Sequence, residues 1–104
     1  MIKEKANIAV FISGRGTNLK ALILRSNKKT CNYKIVYVIS NKKNAAGLKI
    51  AKKNKIITKV ISQSFSKIEQ KKLAKILINK NIKFICLAGF MKILSPYFLN
   101  FDLY

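Results

Sequence analysis

The feature that most restricts this chain is an alternation: short apolar, β-branched runs are each followed by a turn and then by a segment of helical periodicity. Asn7 to Ile12 (NIAVFI) reads as a buried strand, because a continuous apolar run of that length leaves no residue for solvent. It ends in the glycine loop Ser13-Gly14-Arg15-Gly16-Thr17-Asn18, after which Thr17 or Asn18 can cap a helix to about Ser26, with Leu19, Leu22 and Ile23 on one side. Ile35 to Ile39 is a second strand, Ser40-Asn41-Lys42 opens a turn, and Ala45 to Asn54 is a second helix burying Leu48 and Ala51 or Ile50. Ile56 to Ile61, interrupted by Lys59, suits a sheet edge. Ser66 and Glu69 match a capping box that opens a helix to about Lys80, with Ile68, Leu73, Ile76 and Leu77 inward. Phe84 to Ala88 is a continuous apolar strand, and Ser95-Pro96 begins a last helix that stops almost at once.

Strands alternating with helices imply right-handed crossovers and a parallel sheet covered on both faces. The fold class is therefore α/β, a Rossmann-like doubly wound sheet with strand order 3-2-1-4. In such sheets the ligand crevice lies beyond the carboxyl ends of the first and fourth strands, where the winding reverses. The glycine loop and the segment Gly89 to Leu94 should face each other there.

Composition removes several function classes. No apolar run is long enough to span a bilayer, and Met1 to Asn7 lacks the apolar core of a secretory signal, so the cytoplasm is the expected compartment and no membrane partner is expected. Cys31 and Cys86 have no metal-ligand spacing and read as free thiols; no metal is expected. The formal charge of +19 would suit a polyanion, but 20 of the basic residues are lysines scattered along the chain. With 16 Ile and 10 Asn, they read as a record of A/T-rich coding and a solvated surface rather than a nucleic-acid footprint. A small basic nucleic-acid-binding module is the alternative from another class; it predicts steeply salt-dependent binding to unrelated DNA.

The loop places two glycines where a strand becomes a helix, which lets backbone approach an anion while the helix end supplies free N–H donors. It lacks the third glycine of a dinucleotide fingerprint and the Gly-Lys-Ser/Thr of a P-loop. Spacing alone leaves phosphate binding and a purely structural turn equally open.

ISGRGTNL at Ile12 to Leu19 resembles the opening motif of the glycinamide ribonucleotide formyltransferases of purine synthesis. Val38 to Ala51 (VISNKKNAAGLKIA) resembles that family's second strand, turn and helix, and Ala88 to Pro96 (AGFMKILSP) resembles the segment lining its folate site. The resemblance covers nearly the whole chain. It implies the formyltransferase fold, residues 1–104 being a single N-terminal, substrate-binding portion that is incomplete at the C-terminus. The implied reaction moves a formyl group from 10-formyltetrahydrofolate, a co-substrate, to the amine of 5-phosphoribosylglycinamide. Gly16, Thr17 and Asn18 inherit the substrate phosphate, and Arg15 either adds charge attraction or points to solvent. Met91, Lys92, Ile93 and Leu94 inherit the folate segment. From the residues alone, Phe90, Met91, Ile93 and Leu94 read as core, and Lys92 stands where the family has arginine. Lys67 matches a basic folate contact across a one-residue gap and otherwise reads as a solvated lysine.

The resemblance also implies what is absent. The family's catalytic asparagine, histidine and aspartate belong to a later segment; Asn100 and Asp102 lie in the right region without the motif, and there is no histidine to move a proton. The chain alone is expected not to turn over, and the fourth strand to keep an unpaired apolar edge that a complementing C-terminal half would cover. Formyltetrahydrofolate deformylases and methionyl-tRNA formyltransferases share the architecture, but GRGTN and AGFMKIL fit the glycinamide enzymes better.

Overall fold

The computed structural model describes residues 5–14, 16–90, 94–98 and 101–103. Its elements are β1 (Ala6–Ile12), α1 (Thr17–Ser26), β2 (Tyr33–Ser40), α2 (Ala46–Lys53), β3 (Ile57–Val60), α3 (Lys67–Asn79), β4 (Ile82–Ala88), a 3-10 turn (Pro96–Phe98) and β5 (Asp102–Leu103). The sheet order is β3-β2-β1-β4-β5, and every strand pair is parallel. The expected order 3-2-1-4 is thus present, with β1 at the centre.

Residues 8 to 12 of β1 are buried without interruption, because helices cover both sheet faces and alternate side chains enter different cores. Ile8, Val10 and Ile12 join Leu19, Ile23, Val38, Leu48 and Ala51 beneath α1 and α2. Ala9 and Phe11 join Tyr37, Ile39, Ile85, Leu73, Ala74 and Leu77 beneath α3. The α3 side also holds Phe65, Phe90, Phe98 and Phe101, and Phe11 meets Phe90 edge-to-face with ring centroids 5.1 Å apart. β3 is an edge strand, and its Ile57 and Val60 are exposed.

The last helix starts at Pro96 and stops after one 3-10 turn, as expected. Three expectations need correction. Asp102–Leu103 forms a short strand opposite Phe84 and Ile85, so the outer edge of β4 is paired at those positions. Ile68 is 71% exposed: it lies nine residues before Leu77, half a turn around the helix from the buried face. The capping box is half formed. Ser66 Oγ accepts from Glu69 N at 3.3 Å, but the Glu69 carboxylate accepts from Ser62 N at 3.0 Å and from the Ser62 hydroxyl. Glu69 therefore ties the turn before α3 rather than the helix end.

Candidate functional site

The winding reverses between β1 and β4, and their carboxyl ends carry the glycine loop and the segment that starts at Gly89. Ile12 and Gly89 form an isolated antiparallel bridge, and Ser13 Oγ donates to Gly89 O at 2.7 Å. The two loops that sequence placed across one crevice are in contact at its base.

Gly16, rather than Thr17 or Asn18, is the N-cap of α1; it has φ +82° and provides no side-chain cap. The first turn contains no acidic residue, and the first helical bond outside it runs from Lys20 N to Gly16 O at 2.9 Å. By helix geometry the N–H groups of the first turn point out of that end, which carries the positive pole of the helix. Thr17 and Asn18 are exposed beside those donors. An anion can be held there by backbone N–H groups, a hydroxyl and an amide.

Gly16 also has a structural reason to be glycine. A Cβ there would lie 2.5 Å from Gly47 Cα and 2.9 Å from Gly47 N, so α1 begins in backbone contact with α2. Gly14 is exposed, and a Cβ on it would meet nothing within 4 Å. The β2–α2 turn next to this joint is held by Ser40, whose Oγ accepts from Lys42 N at 3.0 Å and donates to Lys42 O at 2.9 Å. That bond accounts for the Ser40-Asn41-Lys42 pattern as a loop-shaping device.

On the other side of the crevice, Phe90 is 6% exposed and belongs to the aromatic core, while half-buried Leu94 packs against the same cluster. Met91, Lys92 and Ile93 lie outside the described residues, as do Arg15 and Asn100. Lys67 is exposed at the first position of α3, in a groove of about 400 Å³ lined by Lys67, Ile68, Lys71, Lys72, Lys75 and Tyr97. Among the described residues, none of the glycine loop lines that groove, which Lys67 shares with Tyr97 of the 3-10 turn. Asp102 is exposed on β5.

Two residues of the site were not found from sequence. Ser13 reads as the first residue of a turn. Gln70 carries no sequence assignment, yet it is 7% exposed and shares the inward face of Leu73, Ala74 and Leu77, at the spacing that could have revealed it. Its Nε2 donates to Phe65 O at 2.8 Å and its Oε1 accepts from Ser95 N at 2.6 Å. Cys31 and Cys86 are free thiols, and burial pushes the Cys86 thiol up. No helix among the described residues is long and apolar enough to cross a membrane.

Residues 6–102 match the family model described as formyl transferase. The chain belongs to the formyl transferase family. It is 44% identical to the trifunctional purine biosynthetic protein adenosine-3 of Gallus gallus, over 93% of this chain and 10% of that protein. It is also 44% identical to phosphoribosylglycinamide formyltransferase of Dictyostelium discoideum, over 90% of this chain and 51% of that one. Among solved structures it resembles glycinamide ribonucleotide transformylase 1 from Symbiobacterium toebii, with a TM-score of 0.84 and 27% identity over 95% of this chain and 50% of that chain. The chain thus spans about half the length of these single-function relatives and a tenth of the trifunctional one.

Proposed function

We propose that this chain binds 5-phosphoribosylglycinamide and 10-formyltetrahydrofolate across the β1/β4 crevice, as the substrate-binding part of a phosphoribosylglycinamide formyltransferase. The observation that carries the reading is the uncapped start of α1, joined at its base to the segment after β4. Gly16, Thr17 and Asn18 hold the phosphate; Leu94, with Met91, Lys92 and Ile93 that precede it in sequence, receives the folate, and Lys67 attracts the folate's carboxylates from the start of α3. The names of the relatives favour the glycinamide reaction over folate deformylation or formylation of methionyl-tRNA.

Formyl transfer to an amine needs a donor for the tetrahedral oxyanion and a group that moves protons between the two nitrogens. These 104 residues contain no histidine and three acids, Glu4, Glu69 and Asp102. Glu69 is engaged with Ser62, and Asp102 sits on β5. The 104 residues by themselves therefore bind without turnover, and a complementing C-terminal half supplies the chemistry. The test is a titration of isotope-labelled chain with 5-phosphoribosylglycinamide and with its phosphate-free riboside, read at backbone amides. Signals of Gly16, Thr17 and Asn18 move with the phosphorylated compound and stay still with the riboside. Equal responses to both would refute the phosphate assignment, and formyl transfer above a blank would refute the inactivity.

A further inference from the structure

The segment that follows β4 is fastened at both ends by side chains from other elements. At its start, Gly89 O accepts from Ser13 Oγ at 2.7 Å. At its end, Ser95 N donates to Gln70 Oε1 at 2.6 Å. Gln70 reaches this position because its Nε2 is spent on Phe65 O at 2.8 Å. The orientation of its amide follows from its partners, since a backbone N–H can only donate and a carbonyl only accept. Phe65 itself has φ +44°, a left-handed conformation rare for a side chain of that bulk, and is 2% exposed within the aromatic cluster. A buried amide with both functions satisfied resists displacement, because breaking either bond strands a polar group away from water.

We propose that Ser13 and Gln70 are positioning residues for Gly89 and Ser95, and that the Ser13 bond transmits occupancy of the glycine loop to Gly89. Gln70 fixes where the segment ends, independently of any ligand. Ser13 lies directly before Gly14 in the loop, so an anion that draws the loop toward the start of α1 pulls on Gly89 through the Ser13 side chain, alongside the backbone bridge between Ile12 and Gly89. The transmission rests on the phosphate reading given above; the Gln70 anchor does not.

Amide hydrogen exchange and amide spectra of the whole chain separate the two. In Gln70→Met, which keeps the volume and removes both bonds, exchange of the Ser95 amide speeds up about tenfold while helix α1 amides keep their rates. In Gln70→Glu, which keeps an acceptor for Ser95 N and loses the donor to Phe65 O, the Ser95 amide stays protected. Unchanged Ser95 exchange in Gln70→Met overturns the anchor. In the unmodified chain, 5-phosphoribosylglycinamide shifts the Gly89 and Phe90 amide signals as well as those of the glycine loop. Ser13→Ala weakens the response at Gly89 and Phe90 but keeps that at Gly16 to Asn18, and Ser13→Thr restores it. An undiminished response at Gly89 in Ser13→Ala overturns the transmission alone. Silence of the glycine loop itself overturns the phosphate reading and the transmission together, while Ser95 exchange still decides the anchor.

Discussion

The two faces of the sheet are built by different means. Beneath α1 and α2 the packing is aliphatic, from Ile8, Val10, Ile12, Leu19, Val38 and Leu48, and the helices meet backbone to backbone at Gly16 and Gly47. Beneath α3 the space is filled by phenylalanine rings around Phe11, and the connection to the next loop is a buried amide. The first face sets the position of the glycine loop by steric approach, the second sets the ends of the segment after β4 by ring packing and hydrogen bonds. Each face therefore locates one side of the crevice, and the two sides should fail separately.

The largest effect is expected on the aromatic face. Phe11 is fully buried and touches the rings of Phe65, Phe90 and Phe98, so Phe11→Ala should cost about 3–5 kcal/mol in chemical denaturation. Next comes Gly16→Ala, which combines a left-handed residue with a clash against Gly47 backbone and should cost about 2–4 kcal/mol by the same measurement. Gly14→Ala sharpens the contrast: its Cβ enters open space, and stability should change by less than about 0.5 kcal/mol. A large loss at Gly14 with none at Gly16 would reverse the assignment of the helix joint.

The smallest expected effect is alkaline. Burial holds the Cys86 thiol above its ordinary 9.0, and burial raises the Tyr37 phenol from 10.0 in the same direction. A raised acid binds its proton more tightly in the folded state, so its contribution is whole below the unfolded value and fades as pH rises through the folded one. The urea midpoint should decline from about pH 9 upward, and less steeply in Cys86→Val. Iodoacetamide at pH 8 should label Cys86 more slowly in the folded chain than in the denatured one, which mass spectrometry of the modified peptide would read.

Sequence periodicity carried most of the architecture, since strands buried on both faces must be continuous apolar runs, and NIAVFI and IVYVI are such runs. It also located the two loops of the crevice, because strand order places the ends of β1 and β4 together. What it missed has specific causes. Asp102–Leu103 is too short to show a period and forms only because β4 offers an edge beside it. Apolarity alone places Ile68 inward, whereas the helix angle from Leu77 turns it out. The burial of Gln70 is hidden by its residue type in a lysine-rich helix, although its spacing to Leu73, Ala74 and Leu77 marks the inner face. The role of Ser13 depends on a partner that is distant in sequence, so no local pattern reports it.

The contact between Gly16 and Gly47 makes two remote codons share one constraint. A mutation that enlarges either position removes room the other already uses, so related chains should drift at these sites as a pair, with bulk at one tolerated only where the helices have parted. A comparison of motifs would find position 16 inside a recognisable loop and pass over position 47 as an ordinary helix residue. Gly16 is the stricter of the two, since its Cβ would lie 2.5 Å from Gly47 Cα at a positive φ, whereas a Cβ on Gly47 would stand 3.2 Å from Gly16 Cα and press mainly on the movable end of Ile12.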